Sequence, residues 1–458
     1  LSVGDATLAG ENLGPVNLQF AYSPQAISLD RLEIGDAGKL AVSGYGLFDR
    51  VGALGTLSLN ATAPSFDQFK RFIPREAPAI VERLRALSIP PGEAHASLSV
   101  EMAKSQQRAG QVDAHATLAI DAPQIKAQAS VATSSAFHAE TGVDLGALSK
   151  SAMTLKTRIE TEQGSRLLGL LALDRMVAGR GWLRLEGHVS GMWHSPLKFD
   201  VKLDGDDLDA EVQGTGDPWA DQPAATATLN ARRLDIAPLF DLRSAVVVGL
   251  SSRLALAGDA LTFDDLDAMV GASRARGRLK VLCAPATVEG ALTIDALDLG
   301  AVAGVALGAS GREANEPLGP GWLQGWRGSL TFDAARAALP GGAEVKELSG
   351  VLRGDGSSVS VDPFKGRIGE GALNAQLTSK RDAASTSLNG QLQLTGVDGA
   401  ALKYRHLALP DGKVSLRMTL ASEGRSAAAL SNALSGGGVL TLENAQIGGL
   451  DPAAFDAA

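Results

Sequence analysis

The stretch LNGQLQLTGVDGAAL, residues 388–402, alternates apolar or small side chains with polar ones. Leu392 and Leu394, for example, are separated and flanked by glutamine and threonine. Successive side chains of a strand point to opposite faces, so this period of two predicts a strand with one apolar and one polar face. The segment KVSLRMTL, residues 413–420, repeats the pattern and predicts a second strand of the same kind.

A short helix is predicted between this second strand and the last one. Ser426 is a favourable N-cap residue, Leu430 and Leu434 are one helical turn apart, and the glycines at 436–438 predict the helix end. The strand period then resumes at 439–442. We expect Leu430 and Leu434 to face the apolar side of the sheet and to close the end of a groove.

The same alternation continues upstream, for example in GTLSLNATA, residues 55–63. Apolar spacing predicts an amphipathic helix near 76–88, and a leucine-rich run predicts a buried helix near 164–177. Short strands joined by short turns need no crossover helices, so antiparallel addition is the economical topology. The sequence therefore predicts a mainly β fold with a few short helices.

The chain has 458 residues, and a single hydrophobic core stops growing at roughly 250 to 300 residues. Several modules or an elongated architecture are therefore expected. The predicted division has four segments: strands with the helix near 76–88 in 1–105, strands with the buried helix in 106–312, a joint and further strands in 313–387, and a C-terminal module in 388–458.

Composition and motifs exclude several classes of function. The net charge is −9, and lysine and arginine are scattered singly, which disfavours nucleic acid as a partner. No Gly-x-Ser-x-Gly elbow or phosphate loop occurs, and the single cysteine, Cys283, has no histidine near it in sequence. The aspartates at 204–209 predict a hairpin turn rather than a calcium loop. We expect no enzymatic activity, no cofactor and no metal.

The segment ASEGRSAAALSNALSGGGVLTLENAQIGGLDPAAF, residues 421–455, resembles the C-terminal region of AsmA-like proteins, a bacterial envelope group that includes TamB-type proteins. The resemblance is densest over 388–458 and rests on a capped helix, a glycine run, a strand and a turn with Gly-Leu-Asp. It implies an elongated antiparallel β-sheet curled into a groove, a β-taco, that shelters phospholipid acyl chains. It also implies a role in outer-membrane biogenesis and lipid homeostasis, with transfer of phospholipid between the inner and outer membranes.

The same resemblance implies a location and partners. We expect a periplasmic protein anchored to the inner membrane through a segment outside this chain, which would make the chain a fragment of a longer protein. No window reaches the roughly 18 to 20 apolar residues that a membrane span needs. Phospholipid and the membrane are the expected partners, and envelope protein partners are left unspecified.

Hydrophobic residues make up 45% of the chain but aromatic residues only 4%, so few large rings are present to fill a thick core. A structural or adhesive β-solenoid with a closed core and no lipid is the alternative, and a polysaccharide-active enzyme ranks behind both. Groove-lining side chains are predicted at every second strand position: Leu57, Leu59, Phe199, Val201, Leu203, Leu292, Ile294, Leu330, Phe332, Leu392, Leu394, Leu416, Met418, Leu420, Leu440 and Leu442.

Overall fold

The computed structural model describes residues 2–8, 11–36, 39–70, 89–106, 111–136, 151–283, 286–319, 321, 325–382, 385–404, 407–408 and 411–446. Strands account for most of these residues, and four short α-helices accompany them. The predicted mainly β fold is therefore confirmed. The chain divides into two compact units, Leu1–Asp235 and Ile236–Ala458.

The first unit is built from thirteen strands that follow one another along the chain. Each strand pairs antiparallel with the next, and among the described pairings the first and last strands do not join, so the sheet is open. The strands are β1 (Ser2–Leu8), β2 (Glu11–Tyr22), β3 (Ala26–Ile34), β4 (Ala41–Asp49), β5 (Leu54–Ala63), β6 (Ala94–Lys104), β7 (Gln111–Ala122), β8 (Ile125–Ala136), β9 (Ala152–Thr161), β10 (Leu183–Met192), β11 (Leu197–Gly205), β12 (Leu208–Asp217) and β13 (Ala224–Asp235).

Two short helices pack at one end of these strands. Helix α1 (Phe66–Lys70) follows β5, and helix α2 (Gly164–Leu170) lies in the connection between β9 and β10. Leu167 and Leu168 of α2 are almost fully buried against Leu183 and Leu208. The buried helix predicted near 164–177 is confirmed but shorter, because the chain leaves the helical conformation after Leu170. The helix predicted near 76–88 lies outside the described residues.

The second unit contains a sheet of eleven strands and a separate two-strand hairpin. The sheet strands are β14 (Val247–Ala257), β15 (Ala260–Val270), β16 (Ser273–Cys283), β17 (Ala286–Asp298), β18 (Arg327–Ala338), β19 (Glu344–Asp355), β20 (Ser358–Ile368), β21 (Gly371–Arg381), β22 (Thr386–Asp398), β25 (Asp411–Gly424) and β26 (Ser435–Gln446). The hairpin joins β23 (Lys403–Tyr404) to β24 (Leu407–Ala408), and 3-10 turns lie at Ala237–Phe240 and Gly399–Ala401.

One pairing in the second unit departs from the predicted antiparallel order. Strands β17 and β18 run parallel, whereas the other described neighbours in this sheet are antiparallel. A parallel pair needs a crossover, and helix α3 (Leu299–Leu307) begins that connection. The Asp298 side chain caps α3 by accepting a hydrogen bond from the Ala301 N–H at 2.9 Å. Gly308, with φ of 73°, ends it in the left-handed conformation.

Helix α4 (Ala427–Asn432) confirms part of the C-terminal prediction. The Ser426 hydroxyl accepts a hydrogen bond from the Ala429 N–H at 3.1 Å, and Leu430 is buried. The helix ends at Asn432, however, so Leu434 lies beyond it and is 58% exposed. The prediction that Leu434 lies in the helix one turn after Leu430 is therefore wrong, because the helix has ended and β26 begins at the next residue.

The glycines at 436–438 also differ from their predicted role, since they lie within β26 rather than at a helix end. A Cβ atom added to Gly438 would lie 2.5 Å from the Arg417 carbonyl oxygen and 2.7 Å from the Met418 Cβ. Glycine is thus required here by the close approach of β25 and β26. A helix-ending glycine and a close-contact strand glycine look the same in sequence.

The predicted segment boundaries do not coincide with the division between the two units. The boundary at 105/106 falls in the turn between the paired strands β6 and β7, and the boundary at 387/388 falls inside β22. The boundary at 312/313 lies in the crossover between β17 and β18. Continuous strand pairing keeps these neighbouring segments in one sheet, which single-sequence composition does not reveal.

Candidate functional site

The register of β5 to β13 aligns residues into straight rows across the first unit. Residues directly opposite each other in an antiparallel pair share a face, so each row lies on a single side of the sheet. Three alternate rows define what we call the first apolar face. They are Leu57, Val100, Ala116, Val131, Leu155, Val189, Phe199, Gly214 and Ala227; Leu59, Leu98, Leu118, Ala129, Thr157, Gly187, Val201, Val212 and Leu229; and Ala61, Ala96, Ile120, Ala127, Ile159, Leu185, Leu203, Ala210 and Ala231.

This face spans nine strands without a charged side chain, and Thr157 is its single hydroxyl-bearing residue. With neighbouring strands about 4.8 Å apart, the nine strands cover roughly 38 Å. All five lining residues predicted in this part of the chain lie on it: Leu57, Leu59, Phe199, Val201 and Leu203. The sheet thus brings together, on one surface, residues that are far apart in sequence.

The rows between these three form the opposite, polar face of the same strands. One of them runs Ser58, Ser99, Thr117, Ser130, Lys156, His188, Asp200, Gln213 and Thr228. The contrast between the two faces follows from the period of two in each strand and from a register that keeps every strand in phase.

Coverage of the first apolar face changes along the strands. At the end where α1 and α2 pack, which we call the covered end, Ala63, Ala94 and Leu183 are almost fully buried. Nearer the other end, the open end, Leu118 is 41% exposed and Val131 is 40% exposed. Large aliphatic side chains in the middle of a sheet face are normally covered, so this part of the surface is available to an apolar ligand.

The second unit has its own apolar face, in which the register aligns the remaining predicted residues. One row contains Leu279, Gly290, Leu330, Leu352, Val361, Leu377, Gly390, Leu420 and Gly436, and the next contains Gly277, Leu292, Phe332, Gly350, Phe364, Ala375, Leu392, Met418 and Gly438. Ile294 lies in a third row with Ala334 and Leu348, and Leu394, Leu416 and Leu440 share a further one. Leu442 pairs with Val414 on the same side.

The second apolar face contains a packed core at one end of its strands. Here Ala334, Val345, Leu348, Leu373 and Leu394 are buried. Leu299 of α3, together with Leu339 and Leu402, packs against this core, and the Phe332 and Phe364 rings lie 6.4 Å apart. Leu440, on β26, is exposed. Of the predicted lining residues in the second unit, Leu330 and Leu394 are buried, and most of the others are partly buried, like all five in the first unit.

Charged side chains on the polar face of the first unit pair with one another within and across strands. Glu160 on β9 accepts hydrogen bonds from Arg158 and from Arg184 on β10, each at 2.8 Å. The bond from Arg158 is the main reason why the pKa of Glu160 lies below its usual value, and the contact with Arg184 lowers it further. Lys126 and Asp121 make a similar cross-strand pair at 3.7 Å. These ion pairs neutralise part of the charge on the polar face.

Two shallow depressions, about 470 and 540 Å³ in volume, lie on this polar face. Their walls include Gln128, Arg158 and Glu160 in the first and Lys156, Glu186 and Asp200 in the second. Both depressions are wide open. A typical ligand pocket is concave and encloses most of its ligand, so neither depression has the character of a ligand pocket.

The described residues lack features that two other function classes require. They contain no group of three or more histidine, cysteine, aspartate or glutamate side chains that could hold a metal ion. None of the described helices is long and apolar enough to cross a bilayer. Asp204 and Asp209 face each other across the β11–β12 hairpin, as the turn prediction required.

Sequence reasoning missed many members of the first apolar face, among them Leu98, Leu118, Val131, Leu155 and Ile159. It selected the clearest runs of alternation and neglected alanine-rich strands such as β7 and β8. The alternation of Ala114, Ala116, Leu118 and Ile120 was a usable signal. The sequence does not reveal the strand register, which places these residues on the same face as Leu57 and Phe199.

No family model, curated protein or solved structure matches this chain.

Proposed function

We propose that the first apolar face holds the acyl chains of phospholipids and that the protein serves as a hydrophobic groove for their transfer between the inner and outer membranes. The observation that carries this proposal is the exposure of Leu118 and Val131 in the middle of a charge-free surface nine strands wide. The role of these residues is to solvate lipid, so no catalytic group is required and the protein is not an enzyme.

The energetic advantage of such a surface is large. Each acyl methylene exposed to water costs about 0.8 kcal/mol, so a two-chain phospholipid faces a barrier on the order of 20 kcal/mol in water. An aliphatic surface that replaces water around the chains removes most of this barrier. Alanine and glycine in the rows leave room above the sheet, which a set of large aromatic side chains would fill.

The resemblance of residues 388–458 to AsmA-like proteins supports the same function. On this basis we propose a location in the periplasm, with an anchor to the bacterial inner membrane through another segment and a role in outer-membrane biogenesis and lipid homeostasis. The absence of a charged side chain from the three rows fits acyl chains as cargo, because a buried unpaired charge would be costly.

The alternative of a structural or adhesive β-solenoid is favoured by one observation in the second unit. There the apolar side chains at one end of the strands, such as Leu348 and Val345, are already packed against protein. We therefore assign lipid contact to the first unit and a mainly structural role to this packed end of the second.

Native mass spectrometry of the chain purified without detergent tests the proposal. We expect copurified phospholipid on the wild type and on Thr117→Glu, whose change lies on the polar face. We expect its loss from Leu118→Glu, which places a charge one residue away on the first apolar face. Equal lipid occupancy in the two variants, or no lipid on any of the three proteins, contradicts the proposed function.

A further inference from the structure

Three aromatic side chains cluster at two turns of the first unit. The Trp193 and Trp219 ring centroids lie 4.8 Å apart, and the His194 ring lies 4.8 Å from that of Trp219. Trp193 is 43% exposed and Trp219 is 39% exposed. We call these three residues the edge cluster. Two tryptophans that contact each other and still leave much of their surface in water are suited to an external partner.

The edge cluster lies at the open end of the first apolar face. Trp193 and His194 belong to the turn between β10 and β11, and Trp219 belongs to the turn between β12 and β13. The opposite ends of the same strands carry Leu183 and Leu208, which α2 buries. The tryptophans therefore mark the strand ends that no described helix covers.

The turn geometry holds these rings in place. His194 has φ of 60°, a left-handed conformation that non-glycine residues adopt infrequently. Its turn is closed by a hydrogen bond from the Ser195 N–H to the Met192 carbonyl oxygen at 3.1 Å. The backbone N–H of Trp219 donates a hydrogen bond to the Asp217 carboxylate, also at 3.1 Å. These contacts constrain the backbone that carries the exposed rings, which lowers the ordering cost of binding.

Other exposed side chains extend the same edge of the first unit. Tyr22 ends β2, and the Arg50 guanidinium lies 5.2 Å from the centre of its ring. Val51 is exposed in the β4–β5 turn, and Met192 is exposed at the end of β10. The open end thus combines amphipathic rings with apolar side chains, the composition found where proteins meet the interface of a bilayer.

We propose that the edge cluster docks the first unit on the interfacial region of a zwitterionic lipid surface, with the open end of the first apolar face towards the acyl chains. This inference rests on the proposed function and names the partner of that same face. The two turns, residues 193–196 and 217–223, contain two aspartates and no lysine or arginine. Anionic lipids attract basic segments, so the negative charge of these two turns favours zwitterionic over anionic headgroups.

The chain offers a matched control for this proposal. Trp182 is 42% exposed, like the cluster tryptophans, but it lies at the covered end of the strands, where its ring contacts Arg184. A Trp182→Ser change removes a similar exposed ring from the opposite end. A general loss of non-specific hydrophobic binding or of fluorescence would follow substitution at either end. If the protein docks through its open end, only substitution of the edge cluster should weaken vesicle binding.

The test is flotation of the full chain with phosphatidylcholine vesicles, comparing the wild type, Trp182→Ser and the double variant Trp193→Ser/Trp219→Ser. Loss of two half-exposed indoles should weaken vesicle binding by about tenfold or more, while Trp182→Ser leaves it unchanged. Brominated phosphatidylcholine should quench the fluorescence of the wild type and much less that of the double variant. Adding phosphatidylglycerol should not strengthen binding.

Several outcomes would overturn the docking proposal: equal binding by the double variant, an equal loss in Trp182→Ser, or stronger binding to anionic vesicles. If the double variant binds vesicles normally while Leu118→Glu still loses copurified lipid, the docking proposal is wrong and the proposed function stands. If the wild type binds vesicles through the edge cluster but never carries lipid, the proposed function fails instead. Circular dichroism of each variant verifies that it is folded.

Discussion

Leu59 and Val201 lie in the same cross-strand row of the first unit, although five strands separate them. Every connecting pair keeps its register, so the row passes through Leu98, Leu118 and Ala129 before it reaches β11. A slip of one residue in any of these strands would move its apolar side chains to the polar face. The uninterrupted row is therefore the structural basis of the first apolar face.

The different burial of Leu348 and Leu118 gives a direct stability prediction. Leu348 is almost fully buried in the core of the second unit, whereas Leu118 is substantially exposed. Leu348→Ala should lower the free energy of unfolding by about 2 to 5 kcal/mol, and Leu118→Ala should lower it by less than about 1 kcal/mol. Urea unfolding followed by circular dichroism measures both. Similar losses would mean that the first face is as tightly covered as the second.

The glycines of β26 provide a second test of strand packing. A Cβ atom at Gly438 would crowd the Arg417 carbonyl oxygen, while one at Gly437 would meet no atom within 4 Å. Gly438→Ala should therefore destabilise the second unit by about 1 to 3 kcal/mol, and Gly437→Ala should be neutral or slightly stabilising. Thermal unfolding of the two variants measures the difference. A neutral Gly438→Ala would show that β25 and β26 are farther apart than described.

The Ser426 cap predicts a smaller and more local effect. Ser426→Ala removes the hydrogen bond to the Ala429 N–H and should cost about 1 kcal/mol, whereas Ser426→Asp should keep most of the stability. Hydrogen exchange at the first turn of α4 is the measurement, because fraying there precedes global unfolding. Unchanged protection in Ser426→Ala would contradict the capping role.

The contacts of Glu160 with Arg158 and Arg184 predict a pH dependence of stability. Because the pKa of Glu160 is lower in the folded chain than in the unfolded one, its contribution is present above the unfolded pKa, near 4.3, and is lost as the pH falls through the folded value. Glu160→Gln should lower the melting temperature at pH 7, and its difference from the wild type should shrink below about pH 4. Glu186→Gln, which loses a longer 3.6 Å ion pair, should have a smaller effect at pH 7. A difference that grows on acidification would contradict the assignment.

The period of two was sufficient to predict the mainly β fold and to place residues such as Leu57 and Phe199 on the correct side of their own strands. It was not sufficient to predict which strands pair, because register depends on contacts between distant segments. The parallel pairing of β17 with β18 illustrates this, since the sequence shows two ordinary strands and a glycine-rich helix between them. Burial could not be predicted from the sequence either. Leu394 and Leu118 lie in the same alternating pattern, yet Leu394 is buried and Leu118 is exposed.

The most direct test of lipid contact uses the two faces of one strand. A photoreactive benzoylphenylalanine is placed at Leu118, on the first apolar face, or at Thr117, on the opposite face. After irradiation in cells, mass spectrometry of the purified chain identifies covalently attached lipid. We predict phospholipid adducts at position 118 and few or none at position 117. Equal labelling at the two positions, or no lipid at position 118 in a folded protein, would contradict the lipid-holding role of the first apolar face.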